Sequence, residues 1–117
     1  MRIHHVALRT RELPRLERFY VDVLGLAVTR RQDDRSVWLD AAGAIVMLER
    51  AEPGEPESVV GSMELLAFAI APEEHALYTD RLARAGVAIE ARTASTLYVR
   101  DPDGRRVGLS AWPATLA

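Results

Sequence analysis

The chain has 117 residues, of which 49% are hydrophobic, so it is long and apolar enough to form one domain around a core. Its 15 basic and 17 acidic residues give a net charge of −2, which argues against a nucleic-acid-binding surface. The sequence has no cysteine, no apolar run that could span a membrane and no apolar signal-peptide region, so we expect a cytoplasmic protein without disulfides or thiolate chemistry.

The first half predicts the element order β-α-β-β-β. A strand is predicted over residues 3–9, and a helix begins at Leu13 and stops at Gly25, because apolar residues recur there at helical spacing before the glycine. Three further strands are predicted in the segments LAVTRRQ, RSVWLD and AIVMLER, which turn-like residues separate.

The second half repeats this order. The segment ELLAFAI predicts a strand, and a helix follows from Pro72 to a stop at Gly86. The segments VAIEAR, TLYVR and RRVGLS predict three strands, and a DPDG turn joins the last two. We therefore predict an α+β fold with two tandem βαβββ modules, residues 2–50 and 62–113. A linker over residues 51–61 joins them within a single domain, 1–117.

Strand side chains alternate between two faces, and in each predicted strand one face is apolar and suited to a core under the helices. The opposite face mixes small, aromatic and charged side chains, which predicts a ligand-binding cup. Its candidate lining residues are His5, Arg9, Trp38, Asp40, Met47, Glu49, Leu65, Tyr98, Arg100, Gly108 and Trp112. The same composition also suits an interface between sheets or subunits.

Two stretches, IHHVALRTRELPRLERFYVDVLGLAV and LYVRDPDGRRVGLSA, resemble the opening and the closing hairpin of the vicinal oxygen chelate superfamily. This superfamily includes glyoxalase I, extradiol dioxygenases, methylmalonyl-CoA epimerase, and fosfomycin- and bleomycin-resistance proteins. The resemblance covers nearly the whole chain and implies a curved mixed sheet that forms a cup. It implies less about function, since the family supports many chemistries and also pure binding.

The resemblance also implies where metal ligands would lie. Metal-dependent members take one ligand from the first strand and one from the last strand of each module, and the matching positions here are His5, Met47, Leu65 and Gly108. Only His5 fits the family pattern, because leucine and glycine offer no side-chain donor and a thioether suits copper(I). We therefore predict no metal and no cofactor. Glu49, on the same face as Met47, is the one substitute carboxylate.

His5 has three interpretations: a structural hydrogen-bonded histidine, a group that orients a ligand, or a general acid or base that Glu49 or Asp40 orients. His4 is expected to point to the helix side or lie at the strand edge, and His75 to be exposed.

The aromatic and charged candidates suit different parts of a ligand. Three aromatic residues are predicted to stack on a flat ligand or to pack at an interface: Trp38, Tyr98 and Trp112. Arg9 and Arg100 would bind a carboxylate or phosphate unless they are simply solvated, whereas Asp40 and Glu49 would attract a cationic drug.

The sequence thus predicts a metal-independent binding protein of the glyoxalase and bleomycin-resistance type. It would hold a flat organic ligand in an aromatic-lined cup, with drug sequestration as one role. The alternative is an enzyme of the same fold, of lyase, isomerase or dioxygenase type, with an atypical metal site on His5 and Glu49 or with His5 as a metal-free acid-base group. A third interpretation is a structural or regulatory dimer whose cup face is buried. We expect a homodimer that binds neither nucleic acid nor membrane.

Overall fold

The structure is a computed structural model and describes residues 1–113. The chain divides into two compact units, Met1–Ser58 and Val59–Ala117. The boundary lies inside the segment predicted as a linker. Within residues 1–113, no helix is both long and apolar enough to cross a membrane.

The first unit contains a four-stranded mixed sheet and one helix. Its strands are β1 (His5–Thr10), β2 (Ala27–Gln32), β3 (Ser36–Asp40) and β4 (Ile45–Arg50). The strand order is β1-β4-β3-β2, with β1 parallel to β4 and the other pairs antiparallel. The predicted strand over residues 3–9 is therefore shifted, since it begins at His5 and ends at Thr10.

The helix of the first unit changes its winding part-way. Helix α1 (Leu13–Glu17) continues as a π-helical segment over Arg18–Val23, in which the Leu24 N–H donates to the Phe19 carbonyl at 3.0 Å. The wider turn keeps the adjacent rings of Phe19 and Tyr20 on the buried side, where they meet edge to face. The sequence pattern predicted a single regular helix here, because apolar spacing does not distinguish α from π winding.

The second unit repeats the topology with strands β5 (Leu65–Ala69), β6 (Ala91–Arg92), β7 (Thr96–Arg100) and β8 (Arg106–Ser110). The strand order is β5-β8-β7-β6, and β5 is parallel to β8. A 3₁₀ turn over Pro72–Glu74 leads into helix α2 (His75–Arg84), and Gly86 follows with a left-handed φ of 70°. The α+β class with two mixed four-stranded sheets and two helices is as predicted.

Strand β6 is much shorter than the predicted segment VAIEAR. Only Ala91 and Arg92 pair with β7. The backbone N–H of Val87 donates to the Leu82 carbonyl at the end of α2, so the start of the segment completes the helix instead of joining the sheet.

The core of each unit lies on the apolar face of its sheet. In the first unit, Val37, Leu39, Val46 and Leu48 are at most 3% exposed. In the second, the buried strand residues are Leu97, Val99, Val107 and Leu109. Edge strand β5 departs from the prediction, since Leu66, Phe68 and Ile70 are only half-buried.

Candidate functional site

The strand register places the candidate residues of the first unit on one face of its sheet, opposite the core. We call this face of each sheet its open face. Met47 pairs with both Trp38 and Ala7, and Glu49 pairs with Arg9. Paired residues point to the same side, so the open face of the first unit carries six candidates: His5, Arg9, Trp38, Asp40, Met47 and Glu49.

The same register separates His5 from Glu49. His5 pairs with Ile45, whereas Glu49 lies four residues further along β4. Four residues of strand span roughly 13 Å, so His5 and Glu49 could share an ion only if both side chains extended fully towards each other, whereas Glu49 lies 3.4 Å from Arg9. Met47 is only two residues from the His5 level, roughly 7 Å away, but it carries a thioether. The geometry therefore argues against a shared ion on His5 and Glu49.

The nearest hydrogen-bond partner of His5 is its neighbour in the chain. The Nδ1 atoms of His4 and His5 lie 2.9 Å apart, and the two exposed rings meet edge to face. His4 was expected to point to the helix side or to lie at the strand edge; it directly precedes β1, and its exposed ring contacts that of His5. The Asp40 carboxylate accepts from the Ala42 N–H at 3.1 Å, and Glu49 lies 3.4 Å from Arg9, so both carboxylates have other partners.

Arg9 is held by a segment that the sequence predicted to be a linker. Its guanidinium donates to both oxygens of Glu55 at 2.9 Å each and lies 3.4 Å from Glu49 Oε1. Arg11 Nη2 donates to the Glu55 carbonyl at 2.6 Å, and Arg11 Nε lies 3.1 Å from Glu57. We call residues 52–57 the acidic strap. The strap contains three carboxylates, and two guanidinium groups, those of Arg9 and Arg11, bind it at the edge of the open face.

These contacts shift two ionisation equilibria. The hydrogen bonds from Arg9 lower the pKa of Glu55 to about 2, with help from the Glu52 backbone N–H. The Glu55 carboxylate in turn raises the pKa of Arg9 above its ordinary value. Both groups are therefore charged at neutral pH, and Arg9 is already paired with carboxylates that compete with any anionic ligand.

Trp38 lies at the centre of the first open face. Its indole Nε1 is buried without a hydrogen-bond partner among the described residues. The Arg30 guanidinium lies 4.9 Å from the ring centroid, within the range of a cation–π contact. The ring is only half-buried and so keeps part of its surface for contact with another molecule.

In the second unit, the resemblance implies metal-ligand positions at Leu65 and Gly108. The Leu65 side chain occupies the space next to Gly108. A Cβ added at Gly108 would lie 3.3 Å from Leu65 Cδ1 and 3.3 Å from Ala67 Cβ. Both contacts are tighter than ordinary van der Waals distances, so Leu65 covers the place from which a larger side chain at position 108 would project. These positions lack donors, and their side-chain space is occupied as well.

Arg100 was a candidate for anion binding, and the structure gives it several partners within its own unit. Its guanidinium donates to the Glu90 carboxylate at 3.0 Å, to the Ser62 carbonyl at 2.6 Å and to the Gly104 carbonyl at 3.2 Å. Glu90 also lies 3.3 Å from Arg106, whose guanidinium is 4.1 Å from the Tyr98 ring centroid. The hydrogen bonds from Arg100, then those from Arg106, lower the pKa of Glu90.

An open groove of about 520 Å³ lies at one end of β7 and β8. It is lined by residues 93–96 together with Tyr98, Ser110 and Trp112. Tyr98 and Trp112 were predicted to contact a ligand, and the structure brings these two together. Trp112 is 67% exposed, so its ring is accessible from solvent.

The sequence analysis missed the hydroxyl side of this groove. Thr93 Oγ1 accepts from the N–H groups of Ser95 and Thr96, and the hydroxyls of Thr96 and Ser110 lie 2.8 Å apart. The available signal was the run TAST, which leads into β7 at Thr96 and has a turn-forming composition that brings hydroxyls to a strand end. His75 was expected to be exposed, but it is half-buried and its Nε2 lies 2.9 Å from the Ser95 carbonyl, beside this loop.

The sequence matches a known family model. The model of the Glyoxalase/Bleomycin resistance protein/Dioxygenase superfamily matches residues 2–109. The chain belongs to this superfamily. A comparison with functionally curated proteins gives no match.

Solved structures of this superfamily share the fold at low sequence identity. A lactoylglutathione lyase from Agrobacterium tumefaciens is 21% identical, with a TM-score of 0.73 over 93% of this chain and 92% of that one. A glyoxalase/dioxygenase from Nostoc punctiforme is 20% identical, with a TM-score of 0.76 over 92% and 88%. The fosfomycin resistance protein FosX from Listeria monocytogenes, solved with Mn(II), is 19% identical, with a TM-score of 0.72 over 92% and 86%.

The superfamily's metal site does not fit the residues present in this chain. Of the four ligand positions, Leu65 and Gly108 have no donor atom, Met47 has a thioether, and Leu65 also fills the space beside Gly108. Within the described part of the chain, no three His, Asp or Glu side chains are grouped so that they could hold an ion. Of the four positions that the resemblance implies, only His5 carries a nitrogen or oxygen donor in its side chain.

Proposed function

We propose that this chain is a metal-independent small-molecule-binding protein that holds a flat organic ligand against an open sheet face. The observation that carries the proposal is the groove of the second unit, where Tyr98 and Trp112 lie beside uncharged hydroxyl groups. Aromatic rings with a few hydroxyl donors are the typical lining of a small-molecule site.

The residues at the four metal-ligand positions that the resemblance implies favour binding of an organic ligand without a metal ion. Three of the four carry side chains without a hard donor, and Leu65 makes that region apolar. Lewis-acid catalysis at these positions would need at least three nitrogen or oxygen ligands. An apolar surface next to an aromatic groove instead favours a ligand that is bound through its ring faces.

The first open face supports the same function through Trp38. Its ring is half-buried beside Met47, and its indole N–H lacks a partner among the described residues. The acidic strap already pairs with Arg9, so this face does not offer a strong anion site. We therefore propose a ligand of low net charge. Drug sequestration is one role for such binding, as in the bleomycin-resistance branch named by the superfamily.

Titration with a panel of planar aromatic compounds, monitored by tryptophan fluorescence, tests the proposal. We expect saturable quenching that weakens at least several-fold in Trp112→Ala, because the variant loses one aromatic wall of the groove. Leu77→Ala is the matched control, since Leu77 is an exposed apolar residue on α2 and should leave the affinity unchanged. Absence of saturable quenching with every compound class would overturn the proposal.

Elemental analysis separates this function from an enzymatic one. Protein purified without a histidine tag should contain no stoichiometric manganese, iron, nickel or zinc. A stoichiometric metal that is lost in His5→Ala would show instead a catalytic centre of atypical composition.

We also propose that the protein acts as a cytoplasmic homodimer. The support is indirect: the chain has no cysteine, and members of its superfamily often complete their cups across two subunits. Light scattering coupled to size-exclusion chromatography should give twice the 13.0 kDa chain mass. A monomer mass at micromolar concentration would contradict this part of the proposal.

A further inference from the structure

A single carbonyl oxygen ties the loop of the second-unit groove to two other elements. The Ser95 carbonyl accepts from the Ala111 N–H at 2.7 Å, directly after the end of β8, and lies 2.9 Å from His75 Nε2. His75 is the first residue of α2 and does not line the groove. A carbonyl oxygen has two lone pairs, so these two contacts use its full accepting capacity.

The Ser95 carbonyl also determines which nitrogen of His75 carries the hydrogen. A carbonyl oxygen can only accept, so Nε2 must be the donor. In the neutral ring, Nδ1 is then the nitrogen without a hydrogen. The contact is therefore a hydrogen bond that a side chain of α2 donates to the backbone of the groove loop, and a neutral ring with its hydrogen on Nδ1 could not make it.

Bonds within the loop shape it without fixing the position of its tip, residues 94–95. The Thr93 N–H donates to the Thr96 carbonyl at 2.9 Å, and Thr93 Oγ1 accepts from the Ser95 and Thr96 N–H groups. The strand before the loop, β6, consists of Ala91–Arg92 alone. Among the described residues, the hydrogen bonds that join this tip to elements beyond β7 are the two to the Ser95 carbonyl. The position of the tip against the end of β8 therefore depends on those two bonds.

We propose that His75 is a positioning residue of the groove, because its Nε2–H holds the loop tip in place beside Ser110 and Trp112. With the bond present, the tip is ordered before a ligand arrives. Without the bond, ordering the tip becomes part of binding and lowers the affinity. This inference rests on the proposed binding function, and it adds to that function a residue of α2 that acts without touching the ligand.

Two substitutions at position 75 separate the hydrogen bond from the bulk of the side chain. The amide nitrogen of glutamine is as many bonds from Cβ as His75 Nε2, whereas the amide nitrogen of asparagine matches Nδ1. His75→Gln can therefore keep the bond to the Ser95 carbonyl, and His75→Asn is too short to make it. Thr79→Val is the matched control. Thr79 Oγ1 donates to the His75 backbone carbonyl at 2.8 Å, so this variant perturbs the same helical turn and leaves the imidazole in place.

NMR titration with quinoline, a planar bicyclic probe that is uncharged at neutral pH, measures the effect on binding. It is added to ¹⁵N-labelled full-length protein, and affinity is read from the amide shifts of Ser95 and Thr96 and from the indole N–H of Trp112. We expect His75→Asn to bind quinoline about 3- to 10-fold more weakly than the wild type, the effect of one net hydrogen bond, and His75→Gln and Thr79→Val to stay within about twofold of the wild type.

A second measurement uses the unmodified, ligand-free protein and so does not depend on any variant folding. The hydrogen-bonded Nε2–H of His75 should exchange slowly with solvent and give a ring N–H signal at neutral pH. Absence of this signal, or a hydrogen on Nδ1 in the neutral ring, overturns the inference.

The outcomes of the titration separate the inference from the function on which it rests. Equal affinity of the wild type and His75→Asn overturns the inference and leaves small-molecule binding intact. An equal loss of affinity in His75→Gln or in Thr79→Val does the same, because side-chain bulk or the stability of α2 would then be responsible. Failure of quinoline to shift any groove resonance of the wild type overturns the inference, and failure of the wider aromatic panel as well overturns the proposed function.

Discussion

Glu55 accepts two parallel hydrogen bonds from the Arg9 guanidinium, each 2.9 Å long, although the two residues are 46 positions apart in the chain. This fork joins the acidic strap to β1 and keeps Arg9 paired with a carboxylate. It is the geometry in which arginine and carboxylate groups bind each other most specifically.

The Arg9–Glu55 pair makes a pH-dependent contribution to stability. Because the pKa of Glu55 is lowered from 4.5 to about 2 on folding, the contribution is complete above pH 4.5 and is lost as the pH falls towards 2. Arg9, with a raised pKa, stays protonated throughout. In urea unfolding, the stability difference between the wild type and Glu55→Gln should therefore shrink as the pH falls from 6 to 2.

Glu57→Gln is the control for that measurement. Glu57 is more exposed and is held by a single contact with Arg11, so its variant should differ little from the wild type at any pH. A difference between wild type and Glu55→Gln that does not depend on pH would contradict the assigned role of the carboxylate.

The Leu65 side chain lies beside Gly108, which predicts an energetic coupling between the two positions. Gly108→Ala should lower the free energy of unfolding by no more than about 1 kcal/mol: the new methyl would lie 3.3 Å from Leu65 Cδ1 and from Ala67 Cβ, but Leu65 is 44% exposed and can move aside. Leu65→Ala should relieve part of this cost in the double variant. A double-mutant cycle measured by chemical denaturation gives the coupling, and strict additivity would show that the leucine does not cover this position.

Arg100 is expected to stabilise the second unit. Arg100→Ala should lower the free energy of unfolding by about 1–2 kcal/mol, since two carbonyls and the Glu90 carboxylate lose a charged donor. Arg92→Ala, at an exposed position on β6, provides the matched control and should change stability little. If Arg100→Ala abolished ligand binding at unchanged stability, Arg100 would instead have the anion-binding role predicted from the sequence.

The two tryptophans should differ in their accessibility to a soluble quencher. Trp112 is 67% exposed, whereas Trp38 is half-buried with its indole nitrogen enclosed. Most of the iodide quenching of the intrinsic fluorescence should therefore disappear in Trp112→Phe and persist in Trp38→Phe. The reverse result would mean that the Trp112 ring is covered in solution.

Much of the fold could be predicted because its signals are local. Alternating apolar residues in segments such as SVWLD and IVMLER identify strands with one buried face, and Gly86 marks the end of α2 with a left-handed backbone. The errors occurred where a backbone hydrogen bond between residues five positions apart competes with the periodic pattern. The N–H of Val87 bonds to the end of α2, and the run over Arg18–Val23 adopts π winding beside two buried aromatic rings.

The candidate site was predictable only in part. Parity along the strands assigned residues such as Trp38 and Met47 to a common face, and the register agrees. Parity does not reveal partners that come from loops. No spacing in the sequence predicts that Arg9 binds Glu55. Nor does it predict that Thr93 lies beside the start of β7, where its hydroxyl accepts from the Thr96 N–H.

The sequence by itself determined the duplicated β-α-β-β-β order, the apolar core faces and the loss of donors at Leu65 and Gly108, because these depend on residue type and on short-range periodicity. Only the tertiary structure decided which polar groups remain available. A charged or hydrogen-bonding side chain binds whichever partner folding brings within about 3 Å, and it is then less available to a ligand. For that reason Arg9 and Arg100 are already paired with other residues of the chain, whereas the hydroxyls of Thr96 and Ser110 beside Trp112 keep hydrogen-bonding capacity for a ligand.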